Sequence, residues 1–425
     1  MSNTGQGKVS IIVPMYNVAE TLDQCLLSLE AQTYADLQII CMNDGSTDQS
    51  SQIARDHAAR DQRIVVVDKA NEGYGATCNR GIALADGEWV AIVEPDDYLD
   101  PTMYEKLVAC AASVEDAGGS AVDVVRCAYW RVFEAGAGAG ADAGDAGKKS
   151  AGEKRVSCPY LHRVRPKSQP FCIGDGVELL LHHPAIWAGM YRREFLSRAG
   201  VRFREVPGAG WTDNPFLIET LCATDAIVYV DEPLYFYREH DLNDAEALAA
   251  KSPATPLTRW NEMMDAAERL GVEDGRVLDA LALRGVNYAM ITVDAAGEDA
   301  AGVPELVERS MARLEPQRVF GLAALSPTAK GFFAHARGVE APREDKLARI
   351  GYLTREGMRN LYVNRLMSIA SISVLFSCMV MIGVAFMITV NINMFIGNVE
   401  DQNVIMVFVD DNATQAETDE LGSNL

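Results

Sequence analysis

The chain has 425 residues, enough for two or three domains and a sizeable core. Its net charge of −22 argues against a nucleic-acid binder, which needs a basic face. Nine scattered cysteines form no CxxC pair, so neither a structural zinc nor a redox pair is indicated, and an odd, unpatterned set suits a reducing compartment. The stretch from Met1 to Lys8 is short and polar and lacks the pattern of a signal peptide.

From residue 9 to about 130, short apolar runs alternate with amphipathic ones. Val9 to Val13 predicts a strand, and Ala19 to Gln32 a helix with Leu22, Leu26 and Leu29 on one face. Leu37 to Met42 predicts a second strand. Ser46 and Gln49 form a capping box for the next helix. Ile64 to Val67 and Trp89 to Val93 predict further strands, with helices at Tyr74 to Leu84 and Pro101 to Ala112. Val122 to Tyr129 closes the set. Such alternation predicts an α/β fold with a doubly wound, mostly parallel sheet.

Glu134 to Ser150 is rich in Ala, Gly and Asp and predicts a flexible loop, extended to 134–157. Ala- and Leu-rich sequence with helical spacing follows, giving a small helical domain at 241–340. From Leu366 to Val399 there is no Asp, Glu, Lys or Arg, and Ile372 to Val390 is almost wholly apolar. A bilayer-crossing helix needs about 20 such residues, which predicts one transmembrane helix at 366–393. A basic lead at 341–365 carries Arg343, Lys346, Arg349, Arg355, Arg359 and Arg365. The tail at 394–425 is acidic. The positive-inside rule then places the N-terminal part in the cytoplasm, as a single-pass protein of the inner membrane.

The chemistry is expected at strand ends, because ligands of open α/β sheets bind outside the carboxyl ends of the strands. Glu94-Pro95-Asp96-Asp97 puts three carboxylates directly behind the fourth strand. Clustered carboxylates repel one another unless a cation holds them, and a hard divalent metal bridging to a phosphorylated ligand is the natural partner. The bland alternative is an acidic turn opening the next helix. Pro14 ends the first strand, Tyr16 offers a flat face to a base, and Asn17 follows. Asp44, in Asn43-Asp44-Gly45-Ser46, is placed to accept a hydrogen bond from a base or ribose. Asn71 and Gly73, in Asn71-Glu72-Gly73-Tyr74-Gly75, belong to a loop that allows close backbone approach.

Taken in order, VSIIVPMYN, NDGSTD, NEGYGATCNRGIALADGEWVAIVEPDD and GWTDNPF resemble the family 2 glycosyltransferases over about residues 9–240. The resemblance implies a GT-A domain at 1–240 that uses a nucleotide-sugar donor and inverts the anomeric centre. It implies that Asp44 contacts the nucleobase, and that Asp96 and Asp97 hold Mg²⁺ or Mn²⁺ against the diphosphate. Glu94 stands where the family usually has Asp, and is expected to reach ribose or a metal-bound water. Asp213 resembles the family's base, with Thr212 in place of the usual Glu. Asp213 as a helix cap is the structural alternative. His240 is a further candidate at the metal or diphosphate. Trp187 and Trp211 are candidates for stacking on a sugar ring, whereas His182 and His183 are expected to be structural. Arg259-Trp260 lacks the glutamine of the QxxRW motif of processive relatives.

Gly351 to Asp411 is similar to the start of the FtsX cell-division permeases, truncated after the first membrane helix. That similarity implies a cell-division ATPase as partner, and a first extracytoplasmic strand at Val404 to Val409. The expected function is transfer of a sugar to a saccharide or lipid-linked acceptor in cell-envelope or exopolysaccharide synthesis. The rival reading is a noncatalytic cell-division scaffold.

Overall fold

The structure is a computed structural model that describes residues 7–118, 121–134, 153–239, 252–297, 300–341, 354, 357, 365–401 and 414–423. The expected loop at 135–152, His240, most of the basic lead and the strand at 404–409 lie outside the described residues. The contacts divide the chain into two units, one holding the sheet and the helices up to residue 337, the other the two helices beyond residue 364.

In the first unit the elements follow the predicted alternation. They are β1 (Val9–Met15), α1 (Leu22–Glu30), β2 (Leu37–Asn43), α2 (Ser50–Ala58), β3 (Ile64–Asp68), α3 (Tyr74–Leu84), β4 (Trp89–Ile92), β5 (Tyr98–Leu99) and α4 (Met103–Asp116). β6 (Val124–Glu134), β7 (Glu153–Ser157), α5 (Glu178–Leu181), β8 (Gly189–Arg192), α6 (Arg193–Ala199), α7 (Asp213–Cys222) and β9 (Ile227–Arg238) complete the sheet region. The strand order is β3-β2-β1-β4-β8-β6-β9-β5, with β7 beside β6. From β3 to β4 every pairing is parallel. Beyond β4 the sheet is mixed: β8 runs antiparallel to both its neighbours, whereas β6 and β9 are parallel. β1 is buried along its whole length, as a strand covered on both faces must be.

The proline expected to end β1 lies inside it, with Pro14 opposite Met42 and Met15 opposite Asn43. β4 pairs with β1 only as far as Ile12, so the missing N–H of Pro14 falls past the end of that ladder. The second helix also starts later than its capping box implies. Ser46 is not its cap, because the Ser46 hydroxyl accepts from Asn17 N at 3.1 Å; Asp48 instead accepts from Ser50 N at 3.0 Å.

α8 (Thr255–Arg269), α9 (Gly275–Ala296), α10 (Val303–Met311), α11 (Pro316–Gly321) and α12 (Pro327–Arg337) form the helical part. Trp260 is fully buried there, its indole N–H donating to Leu281 O at 2.8 Å. In the second unit, α13 (Arg365–Asp401) contains an exposed 22-residue apolar stretch, Ser373–Met394, long enough to cross a bilayer. α14 (Gln415–Ser423) follows it.

Candidate active site

The rim above β1, β2 and β4 collects the predicted loops. Two of them are tied together by Asn17, a non-glycine residue at φ 53°. Its side-chain oxygen accepts from Thr47 N at 2.8 Å. Tyr16 stands beside it, half exposed. Asn71 is exposed on the next loop.

Asp44 is buried and turned toward that loop rather than toward solvent. It pairs with Lys69 and accepts from Glu72 N at 2.9 Å and Gly73 N at 3.0 Å. Both oxygens therefore shape the loop. Gly73 adopts φ 90°, and a Cβ there would meet Val206 O at 2.4 Å. A Cβ on Gly75 would meet Arg204 O at 2.0 Å. These two glycines let the start of α3 sit directly against the 204–208 segment, and Tyr74 N donates to Gly208 O at 3.0 Å.

The carboxylates behind β4 divide by environment. Asp97 is buried, and each of its oxygens has a protein donor: Tyr235 OH at 2.8 Å and Arg238 N at 2.7 Å. Asp96 is half-buried, and its carbonyl accepts from Arg238 Nε at 2.9 Å. Glu94 accepts from Tyr74 OH at 2.5 Å, and Glu94 N donates to Tyr235 OH at 3.1 Å. Burial, with the Asp96 charge beside it, pushes the Glu94 carboxyl up to about 8; the Asp213 charge adds to this. Burial also pushes Asp97 well above the usual carboxylate range.

Asp213 opens α7 and is half-buried. The helix has no side-chain cap; Asp213 Oδ1 instead accepts from Asn214 N at 3.0 Å and Asn214 Nδ2 at 3.1 Å. Burial raises its carboxyl, while Asn214 and Arg284 act in the opposite sense. Glu94, Asp96, Tyr74 and Asp213 thus share one acidic neighbourhood, drawn from three separate stretches of the chain.

Trp187 does not face a ligand. It is 3 % exposed and stacks on Tyr235 at 4.2 Å and Tyr237 at 5.0 Å. Trp211 is partly exposed and meets Tyr288 edge-on at 5.4 Å. His182 and His183 are held neutral, burial pushing both imidazoles down to about 4. Arg259, set aside on motif grounds, donates to Gly210 O at 2.9 Å and so braces the loop that precedes Asp213.

A divalent cation can be tested against these donors. Among the described residues, no three His, Cys, Asp or Glu side chains converge to enclose an ion on their own. Small hard cations in phosphate-transfer sites take one or two carboxylates, with waters and substrate phosphates completing the shell. Asp96 and Glu94 fit that partial set; the Glu94 carboxyl is raised first by burial and then by the Asp96 charge, which a cation between them would offset. Asp97, with both oxygens engaged, fits a brace for the turn.

The sequence motifs do not point to Tyr74, Tyr235, Arg238, Arg284 or Tyr288 as members of this site. Tyr74 lies inside a recognised motif, so its proximity in sequence was a usable signal. Arg284 is an isolated cation in an apolar helical run, which is the only local sign that it is buried for a reason.

Residues 10–128 match the Glycosyl transferase family 2 domain. This match ends far short of 351–411 and lends no support to the FtsX-like reading. The uncharacterized glycosyltransferase EpsJ of Bacillus subtilis (strain 168) is 34 % identical over 238 residues, covering 55 % of this chain and 61 % of that protein. The uncharacterized glycosyltransferase YibD of Escherichia coli (strain K12) is 31 % identical over 237 residues, covering 55 % and 62 %. The chain therefore spans about three-fifths of the length of these curated relatives. S. aureus TarS 1-349, solved in complex with UDP-GlcNAc, superposes with a TM-score of 0.57 at 18 % identity, covering 81 % of this chain and 89 % of TarS 1-349. That likeness establishes the GT-A fold. Residues 10–128 are the part of the chain that is similar to the family 2 glycosyl transferases.

Proposed function

We propose that this chain is an inverting, metal-dependent glycosyltransferase that moves a sugar from a nucleotide donor to an acceptor hydroxyl of a cell-envelope or exopolysaccharide. The observation that carries this reading is that Glu94, behind the fourth strand, lies near enough to both Asp96 and Asp213 for their charges to act on it. One carboxylate set lies on the sheet rim and the other carboxylate on a separate helix, as donor-side and acceptor-side roles require.

Asp96 would hold Mg²⁺ or Mn²⁺ directly, and Glu94 would reach a metal-bound water or the ribose. Asp97 holds the turn through Tyr235 and Arg238. When bound, the cation neutralises charge on the departing diphosphate. Tyr16 offers its exposed ring to the base. Asp44 and Asn17 bind the donor indirectly, by setting the loops at 46–47 and 69–73. Pro14, Asn71 and Gly73 shape the same wall. Asp213 removes the acceptor proton as its oxygen attacks the anomeric carbon, so a single displacement inverts that centre.

The apolar stretch in α13 supports a membrane-held protein, and the acceptor is a lipid-linked or free saccharide. The basic residues that precede it favour a cytoplasmic catalytic part. TarS 1-349 was solved with UDP-GlcNAc, which makes that nucleotide sugar the first donor to try. In a nucleotide-release assay with Mn²⁺ and a panel of nucleotide sugars including UDP-GlcNAc, Asp213→Asn should lose turnover by about 10²–10⁴-fold while UDP binding is retained. Turnover near that of the unaltered protein would remove Asp213 from the mechanism.

A further inference from the structure

Arg284 is a buried guanidinium on α9, far outside the family-matched residues. Among the described residues, no carboxylate forms an ion pair with it. Its donors go to Leu180 O at 2.6 Å, His182 O, Asn214 Oδ1 at 2.9 Å and Tyr288 OH at 2.8 Å. A buried cation without a paired anion is costly, so its position calls for an explanation.

The hydrogen bonds run in one direction. Arg284 can only donate. Tyr288 OH receives from Arg284, so it gives its own proton to Asn214 Oδ1, 2.8 Å away. With two donors on its oxygen, the Asn214 amide must turn its NH₂ toward Asp213, where Nδ2 donates to Oδ1 at 3.1 Å. Asn214 N donates to the same oxygen. Among the described residues, no other residue donates to Asp213 Oδ2. Oδ1 is thus held, and Oδ2 is left as the proton acceptor.

The charges around Asp213 are few. Glu94 and the hydroxyl of Tyr74 face it from the sheet side, and Tyr288 and Arg284 from α9. Arg284 is a cation that acts with the Asn214 hydrogen bonds against the burial of Asp213.

We propose that Arg284 is a positioning residue for the base: through Tyr288 and Asn214 it fixes which Asp213 oxygen meets the acceptor. The proposal rests on Asp213 being the base. It gives the helical part of the chain a share in the chemistry, since the donors that turn the Asn214 amide toward Asp213 come from α9.

The test is a carbon-13 titration of the Asp213 carboxyl in the full chain in detergent, assigned by the resonance lost in Asp213→Asn. Arg284→Met should raise the Asp213 midpoint by about one pH unit, and Arg284→Lys, which keeps the charge, should restore most of the shift. An unmoved midpoint in folded Arg284→Met overturns the proposal. If circular dichroism shows that variant unfolded, Tyr288→Phe decides: a raised midpoint supports the relay, and an unmoved one overturns it. Turnover of Asp213→Asn is read separately. Activity there defeats the base assignment, whereas the midpoint shift reports on Arg284 alone.

Discussion

Glu94 shows what a side chain costs when the fold buries it beside its own kind. Its carboxyl is raised from 4.5 to about 8, first by burial and then by the Asp96 charge. A carboxyl whose folded pKa exceeds its unfolded one favours folding in its protonated form. Its stabilising contribution is fully present below about 4.5 and is lost as pH rises through about 8. In metal-free protein, thermal melts of the unaltered chain should therefore lose ground to Glu94→Gln as pH rises across that window. Gln retains an oxygen for the Tyr74 hydroxyl. A difference in Tm between the two proteins that stays constant across the window would show Glu94 already ionised in the folded state. The acids themselves were legible in sequence, because they follow an apolar run that had to be a buried strand. Their partners Tyr235 and Arg238 were not, since they arrive from a strand about 140 residues later.

At the scale of elements, the strands β1 to β4 and the helices between them follow from apolar runs that only a sheet covered on both faces can bury. Boundaries moved where side chains had other work. Ser46 gives its oxygen to Asn17 rather than to a helix end, and the second helix begins later. β8 and β9 were not legible as strands, because their mixed aromatic and charged sequence lacks a clean period; pairing with β6 defines them. The apolar stretch Ser373–Met394 was plain from composition, and its described side chains are exposed. The proposed anchor would bury it in a bilayer. The full chain should therefore sediment with membranes and resist extraction by salt and carbonate. A chain ending before residue 366 should appear in the soluble fraction with UDP binding intact. Full chain that remains soluble without detergent would count against the anchor.

Across the whole molecule, the sheet brings together residues that sequence keeps apart. β1 and β2 supply Asn17 and Asp44, β4 leads into Glu94 and Asp96, α7 presents Asp213, and α9 contributes Arg284. Loop motifs announced the proposed donor side, since each follows its strand directly. The support behind the acceptor side was hidden, because Arg284 reaches Asn214 across 70 residues. The central claim is that the acidic rim holds a divalent cation that tethers the donor's diphosphate. Isothermal titration of the full chain in detergent with UDP, with and without Mn²⁺, tests it most directly. UDP should bind at least about tenfold more tightly with Mn²⁺, and Asp96→Asn should erase that gain. Equal UDP affinity with and without the metal, or an undiminished metal effect in Asp96→Asn, would contradict it.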